Sequence, residues 1–356
     1  MLTMDYALGE HAHWFLTDKC DKSCAPCFRE FFHGGSTENL VKIAEILAAN
    51  NVKRVTIGGG EPTLVKGLDD ILHIFKKAGI PVDLHTNGST LSHKRLEQLK
   101  RSIDTLGLPI DSLDDKIQTK IRASGHLKQI KQVIENAQEL GYNLEYHAVA
   151  TYLNINGLPK LYSDFIKKTN FKCWNIYEFN FDLARQSTFY GKYSEKEKVK
   201  RLQELDELRG PINFEKGCSD GLFAKFLLTE ENMKNYDDRI NFVMLPFSRA
   251  PYFFINGSGD VEFYTWFSQK RKKIGNLLTD GFKETVKKLR RADKQGPVFD
   301  ESDFIEATND LPIFARLYEG NYCDEDISMV KPEYHKQVRH LARLWEVKRY
   351  GEAMTV

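Results

Sequence analysis

The chain has 356 residues, of which 41% are hydrophobic and 28% are charged, and its formal net charge is +1. This composition is typical of a soluble globular protein with a full core, and the charge balance gives no basic face for nucleic acid. The sequence shows no signal peptide, and no apolar run approaches the roughly 20 residues of a membrane span. We therefore expect a cytoplasmic protein with neither a membrane span nor a nucleic-acid partner.

The first predicted strand, residues 13–17, leads into a group of three cysteines. Cys20, Cys24 and Cys27 form a C-x3-C-x2-C pattern in "CDKSCAPC". Disulfide pairing would leave one thiol over, and in a reducing compartment clustered cysteines are typical of metal sites or catalysis. Both a zinc ion and an iron–sulfur cluster are held by such thiolates. Three nearby histidines are candidates for a fourth zinc ligand: His11, His13 and His33.

A glycine-rich turn follows the second predicted strand, residues 52–57. The segment "VTIGGGEPTL" (55–64) runs from the strand through three glycines at 58–60 into Glu61 and Pro62. Glycine exposes backbone polar groups and lets the chain pass close to a ligand. An ordinary turn between a strand and a helix has the same composition.

Strand and helix patterns alternate through the first half of the chain. Further strands are predicted at residues 81–86, 103–110, 143–151 and 172–179. Helices are predicted at residues 36–50, 66–78, 90–100, 126–140 and 157–168. Strands separated by helices predict a parallel sheet with right-handed crossovers, and six such units predict an α/β fold, a partial (β/α)6 barrel of TIM type. The two motifs fall at the C-terminal ends of strands, where such barrels carry their chemistry.

The second half of the chain is less regular. A charged helix is predicted at residues 193–208, a β-hairpin at 251–266, a turn and a helix at 272–291, and a helix at 332–349. We therefore divide the chain into a barrel domain, residues 1–190, and an α+β extension, residues 191–356, whose hairpin and helices cover the barrel mouth. Three more cysteines stand alone and carry no predicted role: Cys173, Cys218 and Cys323.

The cysteine and glycine motifs together resemble the radical S-adenosylmethionine (SAM) superfamily. The resemblance implies that Cys20, Cys24 and Cys27 are catalytic and hold a [4Fe–4S] cluster, whose open iron binds SAM. The residue after the last cysteine, Phe28, is aromatic as in that family. The turn after the second strand matches the family's GGEP motif and is implied to contact SAM through four residues: Gly59, Gly60, Glu61 and Pro62.

The resemblance also implies a reaction and its partners. An external one-electron donor, a flavodoxin or a ferredoxin, reduces the cluster. Cleavage of SAM then gives a 5′-deoxyadenosyl radical, which abstracts hydrogen from a small-molecule substrate. The cofactors carry this chemistry, and the protein positions the substrate and excludes water.

The predicted hairpin, with the "IGNL" that follows it, resembles the C-terminal extension of SPASM or Twitch radical SAM enzymes. In those enzymes a cysteine at the end of the hairpin ligates an auxiliary cluster. At that place this chain reads "EFYTWFS", which contains no cysteine. We therefore expect an extension without an auxiliary cluster.

Two segments are similar to viperin-like enzymes, which dehydrate a nucleoside triphosphate: "IDSLDDKIQTKIRASG" (110–125) and "VATYLN" (149–154). The resemblance implies further SAM contacts at strand ends and in these segments: Asn87, Asp111, Ser112, Arg122 and Val149. It implies substrate contacts from four side chains: Lys53, Lys120, Asn154 and Asn175. The sixth strand departs from the pattern, because Cys173 and Asn175 stand where viperin-like enzymes carry basic residues that hold the triphosphate.

The leading hypothesis is therefore a radical SAM enzyme that makes a 3′-deoxy-3′,4′-didehydro nucleotide. A second hypothesis is radical modification of a peptide or a sugar, because SPASM-like relatives often act on peptides. A third is a non-enzymatic iron–sulfur or zinc scaffold or sensor, against which the intact "GGGEPT" turn argues.

Overall fold

The structure is a computed structural model that describes most of the chain up to residue 295. The described residues are 9–27, 33–50, 52–179, 184, 193–210, 229–230, 232–233, 236–243, 253–263 and 272–295. Four predicted features lie outside them: Phe28, Cys218, Cys323 and the helix at 332–349.

The described strands form one sheet. In chain order they are β1 His11–Phe15, β2 Arg54–Gly58, β3 Val82–His85, β4 Thr105–Pro109, β5 Leu144–Ala150, β6 Phe171–Glu178, β7 Ile240–Val243, β8 Phe253–Asn256, β9 Asp260–Phe263 and β10 Lys272–Asn276. The spatial order is β10-β9-β8-β1-β2-β3-β4-β5-β6-β7. Strands β1 to β6 are neighbours in chain order, and each pairs parallel with the next. The predicted fold class, a partial parallel barrel of the TIM type, is confirmed.

Helices connect these strands. They are α1 Thr37–Ala49, α2 Leu68–Lys77, α3 His93–Leu99, α4 Asp115–Ile121, α5 His126–Glu139, α6 Leu158–Asp164, α7 Glu195–Arg209 and α8 Phe282–Gln295. The predicted helices that fall on described residues are confirmed, with ends that shift by a few residues, and α4 is an additional helix that was not predicted. Among the described helices, none is both long and apolar enough to cross a membrane.

The two faces of the sheet differ in chemistry because successive side chains of a strand point to opposite faces. The outer face is apolar and packs against the helices; for example, Trp14 of β1 makes an edge-to-face contact with Phe75 of α2, with 6.2 Å between ring centroids. The other face, which we call the inner face, carries polar side chains. On it, His11 of β1 lies 2.8 Å from the hydroxyl of Thr56 of β2.

The extension adds strands at both edges of the barrel sheet. Strand β8 pairs parallel with β1, β9 pairs antiparallel with β8, and β10 pairs antiparallel with β9. On the opposite edge, β7 pairs parallel with β6. Two expectations are corrected here. Residues 272–276 form a strand rather than a turn because they pair with β9, and the short strand β7 was not predicted.

A buried ion pair ties the amino ends of β2 and β3 together on the inner face. Arg54 donates from Nε and Nη2 to the two carboxylate oxygens of Asp83, at 2.5 and 2.6 Å. The side chains are only 17% and 6% exposed. Burial by itself would raise the pKa of Asp83, but the hydrogen bonds and charge of Arg54 hold that pKa below its ordinary value.

We expect Asp83→Asn to lower the free energy of unfolding by about 3–5 kcal/mol, because it leaves the Arg54 charge buried without its partner. The matched control is Asp69→Asn, which breaks the bidentate pair of Arg95 with Asp69, whose side chain is 68% exposed. That change is expected to cost less than about 1 kcal/mol. Chemical denaturation of both variants measures the difference, and equal losses would contradict the assignment.

Candidate active site

The three cysteines lie on the loop that leaves the C-terminal end of β1. The loop carries three cysteines of intermediate exposure that form no disulfide: Cys20, Cys24 and Cys27. The loop turns back on itself at its end, where the Cys27 N–H donates to the Cys24 carbonyl oxygen at 3.2 Å. Three thiols on one short loop form a donor set that suits a [4Fe–4S] cluster with one iron free of protein ligands.

The glycine turn after β2 packs directly against the start of this cysteine loop. The Gly60 N–H donates to the Thr17 carbonyl oxygen at 2.6 Å, and the Glu61 N–H donates to the Lys19 carbonyl oxygen at 2.8 Å. A Cβ atom on Gly60 would overlap the Lys19 carbonyl. A Cβ on Gly59, which has a φ of +126°, would lie 2.6 Å from the Thr17 oxygen. The glycines thus permit a close approach of the chain to itself.

Glu61 connects the glycine turn to the end of β3. Its carboxylate accepts hydrogen bonds from the Thr86 hydroxyl at 2.6 Å and from the Asn87 N–H at 2.7 Å. It also accepts from the N–H of Thr63, in the short 3₁₀ turn that begins at the buried Pro62. Burial raises the pKa of Glu61, although these hydrogen bonds oppose the shift.

Asn87 reaches the cysteine loop from β3. Its side-chain amide donates to the Asp21 carboxylate at 2.9 Å and lies 3.5 Å from the Cys20 sulfur. The backbone N–H of Lys22 also lies 3.4 Å from that sulfur. Because N–H groups favour a thiolate over a thiol, both contacts suit a metal-ligating Cys20.

A buried carboxylate–guanidinium pair lies beside Cys24. Arg122 donates from Nε and Nη2 to Asp111, at 2.6 and 3.0 Å, and the Asp111 side chain is fully buried. Burial would lower the pKa of Arg122, but the Asp111 carboxylate holds it above its ordinary value. Burial also raises the pKa of the Cys24 thiol, and the Arg122 charge opposes that rise. The guanidinium therefore favours the thiolate form of Cys24.

The same pair holds the end of β5. The Val149 N–H donates to Asp111 Oδ1 at 2.8 Å. The buried amide of Asn154 donates to the carbonyl oxygens of Asp111 and Val149, both at 3.0 Å, and accepts from Thr151. Asp111, Val149 and Asn154 are thus brought together, with their polar groups bonded to one another.

Two buried side chains of the site were missed by the sequence analysis. Gln118 of α4 accepts from the backbone N–H groups of Asp111 and Ser112, at 3.0 and 2.8 Å. Its amide nitrogen lies 2.9 Å from His126 Nδ1. Sequence gives a weak signal for α4, since Asp114 caps its first turn through two backbone N–H groups.

Arg201 of α7 anchors the cysteine loop from the extension. Its Nη2 donates to the carbonyl oxygens of Cys24, Ala25 and Cys27, at 3.2, 3.3 and 3.3 Å. The residue is only 7% exposed. No sequence signal distinguishes it, because α7 is rich in charged residues along its whole length.

Three predicted substrate residues lie away from the cysteine loop or are already paired. Lys53 is exposed and precedes β2, and its N–H donates to Glu10, which precedes β1. It therefore lies at the opposite end of the sheet from the cysteines, and the structure does not bring it to the site. Lys120 of α4 is exposed and lies 2.6 Å from Glu207 of α7. Asn175 is buried on the inner face and donates to Glu145 at 2.6 Å.

The comparisons with known proteins agree with this geometry. Residues 14–167 match the family model described as the Radical SAM superfamily, and this part of the chain is a radical SAM domain. The chain superposes on the structure of anSMEcpe with bound AdoMet and Cp18Cys peptide with a TM-score of 0.55 and 17% identity, over 95% of this chain and 97% of that one. At that identity the likeness describes the fold.

The curated relatives match a smaller part of this chain than that solved structure does. An S-adenosylmethionine-dependent nucleotide dehydratase of Flammeovirga pacifica is 28% identical over 180 residues, 47% of this chain and 61% of the relative. A protein of Methanococcus maripaludis described as "Probable GTP 3′,8-cyclase" is 32% identical over 161 residues, 43% of this chain and 54% of the relative. This chain thus spans little more than half the length of these relatives.

The cofactors of a radical SAM domain are a [4Fe–4S] cluster and SAM. The residues present fit the cluster. Three cysteine thiols share one loop, with N–H donors beside Cys20 and a guanidinium beside Cys24.

We expect Gly60→Ala to reduce the iron and sulfide bound per chain, because the new Cβ would push the glycine turn off the Lys19 carbonyl and displace the cysteine loop. The control is Gly157→Ala, whose Cβ would meet no atom within 4 Å. Iron and sulfide analysis after anaerobic reconstitution measures the effect. Full cluster content in Gly60→Ala would show that this close packing does not position the loop.

A second prediction concerns acid stability. Burial, assisted by the Arg122 charge, lowers the pKa of His126 from 6.5 to about 4. Between pH 6.5 and 4 the unfolded chain binds a proton at this residue and the folded chain does not, so stability that is present above pH 6.5 is lost as the pH falls. We expect His126 to account for about 1 kcal/mol of lost stability between pH 7.5 and pH 5.5.

The variant His126→Gln, which keeps a hydrogen-bonding side chain but does not titrate, should lose less stability over that interval than the parent. The exposed residue His73 supplies the control, and His73→Gln should show the parent's dependence. Denaturant titrations of the cluster-free protein at the two pH values make the comparison. Parallel losses in parent and His126→Gln would remove His126 as the source.

Proposed function

We propose that this protein is a radical SAM enzyme whose cluster is held by Cys20, Cys24 and Cys27. The observation that carries the proposal is the position of the three thiols on the β1 loop of a radical SAM domain, in contact with the end of β3 and beside a guanidinium. When bound, the cluster and SAM supply a 5′-deoxyadenosyl radical that abstracts a hydrogen atom from the substrate.

The residues around the cysteine loop are proposed to shape the SAM pocket. The glycine turn is fixed against the cysteine loop by Gly59, Gly60, Glu61 and Pro62. Asn87 donates its backbone N–H to Glu61, and its side chain lies beside Cys20. On the Cys24 side, the pair of Asp111 and Arg122 holds the ends of β4 and β5, together with Ser112 and Val149. A preorganised pocket of this kind orients SAM without rearrangement during the reaction.

We propose that the substrate is a nucleoside triphosphate, bound on the inner face of the barrel. Supporting this choice, the relatives from Flammeovirga pacifica and Methanococcus maripaludis are named for a nucleotide and for GTP. Asn175 on the inner face and Lys120, which is paired with Glu207, remain candidate substrate contacts, and Asn154 is proposed to shape the pocket through Asp111 and Val149.

The proposed reaction is the viperin-like dehydration, which removes water from the ribose to give a 3′-deoxy-3′,4′-didehydro nucleotide. The second candidate is ring closure of GTP between C3′ and C8, favoured by the similarity to the Methanococcus maripaludis protein. In both reactions the protein orients the ribose and excludes water from the radical.

The proposal includes an external electron donor, a flavodoxin or a ferredoxin. It also places the enzyme in the cytoplasm, because thiols that ligate a cluster need a reducing compartment.

We expect one nucleoside triphosphate to raise the formation of 5′-deoxyadenosine above the rate with SAM and reductant alone. The measurement is anaerobic turnover of the reconstituted protein with each nucleotide, followed by mass spectrometry of the products. A product lighter by one water indicates dehydration, and an isomer of unchanged mass indicates cyclisation. An equal slow background with all nucleotides would reject the nucleotide proposal.

Variants of single cysteines serve as controls for this assay. Cys24→Ala should lose the cluster and 5′-deoxyadenosine formation together. Cys173→Ala removes a thiol on β6, outside the cysteine loop, and should keep its cluster iron. Full cluster content in Cys24→Ala would contradict the ligand assignment.

A further inference from the structure

A group of three metal-ligating side chains lies on the inner face, outside the cysteine loop. His85 of β3, Glu145 and His147 of β5 each offer one ligand atom, and these atoms lie within 4.8 Å of one another. Glu145 Oε1 is 3.4 Å from His147 Nε2 and 3.7 Å from His85 Nε2. Both imidazole nitrogens thus approach one carboxylate oxygen at distances longer than a good hydrogen bond.

Strand β4, which lies between β3 and β5, leaves room for these three side chains. In the sheet register, Gly107 of β4 lies between His85 and Glu145. A Cβ atom at Gly107 would overlap the His85 ring and would lie 2.8 Å from His147 Nε2. Any other residue on β4 at this position would therefore fill the space that the two rings share, where their centroids are 4.3 Å apart.

The histidine on β5 points a buried, unbonded ring nitrogen at this group. The Nε2 atom of His147 is buried and makes no hydrogen bond among the described residues. An imidazole nitrogen without a hydrogen-bond partner is a suitable ligand for zinc or iron(II).

A second layer of side chains orients the carboxylate. Asn175 of β6 donates to Glu145 Oε1 at 2.6 Å, and Asn241 of β7 donates to the Asn175 side-chain oxygen at 3.0 Å. Hydrogen-bonded partners of this kind fix ligand orientation in metal sites, and their loss typically weakens metal binding about 10–100-fold.

We propose that His85, Glu145 and His147 bind one divalent transition-metal ion of the zinc or iron(II) class. Bonds of about 2.0–2.2 Å place the ligand atoms of a tetrahedral ion roughly 3.4 Å apart, so small side-chain shifts complete the site. Two imidazoles and one carboxylate leave at least one coordination position open, as in catalytic metal sites. The open position accepts an oxygen ligand, water or substrate.

The site would also supply positive charge to the inner face. Glu145 is the sheet partner of Cys173, and Asn175 contacts the Glu145 carboxylate directly. These are the two β6 positions that replace basic residues of viperin-like enzymes. If the proposed nucleotide function holds, the ion is placed to coordinate a phosphate or ribose oxygen; the metal site itself does not depend on that function.

The test is metal binding by the full-length protein with its cluster reconstituted, so that the loop cysteines are occupied. Cobalt(II) is titrated anaerobically and followed by its visible ligand-field absorption, and zinc(II) is then added in competition. We expect one cobalt per chain, displaced by one zinc. His147→Gln and Glu145→Gln should each weaken binding at least about a hundredfold, and Asn175→Ala about tenfold.

The matched control is the exposed histidine of α3. His93 lies 3.8 Å from Glu97 and 3.9 Å from Glu139, which is a similar set of residue types on the surface. His93→Gln should leave the cobalt spectrum and affinity unchanged. Thermal unfolding and the cluster absorption of each variant establish that it is folded, and His85→Gln provides a second ligand variant if one of the others fails to fold.

The absence of a one-to-one cobalt complex in the parent would overturn the proposal, and so would unchanged affinity in folded His147→Gln and His85→Gln. The outcome is separable from the proposed function. Metal binding without nucleotide turnover would reject the proposed substrate and support the metal site. Nucleotide turnover without metal binding would support the proposed substrate and reject the metal site.

Discussion

The close backbone contact between the glycine turn after β2 and the start of the cysteine loop sets the position of the whole site. Gly59 and Gly60 lie against Thr17 and Lys19 at distances that any side chain would prevent. This contact directs Glu61 toward the end of β3, and Asn87 at that end then reaches Cys20. Three neighbouring strand ends are thereby fixed relative to one another before any cofactor binds.

A second set of buried polar contacts completes the opposite side of the loop. The Asp111 carboxylate neutralises the Arg122 guanidinium and simultaneously fixes Val149 at the end of β5. Buried charges are tolerated when paired and fully hydrogen-bonded, and here the pairing also leaves a positive group beside a ligating thiol. The same two side chains, Asp111 and Arg122, thus stabilise the end of β5 and set the electrostatic environment of the Cys24 thiol.

Sequence predicted the parts of this site that depend on local patterns. The alternation of strands and helices predicted the barrel, and the spacing of Cys20, Cys24 and Cys27 with the glycine turn predicted which strand ends carry chemistry. The assignment of Lys53 to the substrate rested on segment similarity alone, and it conflicts with the position of Lys53 before β2, at the end of the strand away from the cysteines.

Features that depend on register and long-range packing were not predictable. His85, Glu145 and His147 come together because β4 carries a glycine at the intervening register position. Arg201 could not be singled out from the sequence, because the many charged residues of α7 give no amphipathic pattern. Side chains that act through tertiary contacts leave no periodic signal in a single sequence.

The anchoring of the cysteine loop by Arg201 has a consequence for the order of biogenesis. The cysteines emerge from the ribosome before the guanidinium that binds their carbonyl oxygens, which follows Cys24 by 177 residues. At typical rates of about 5–20 residues per second, synthesis leaves the thiols without this anchor for roughly 10–35 seconds. A chain truncated before helix α7 would therefore present the three thiols on a loop without the Arg201 contacts.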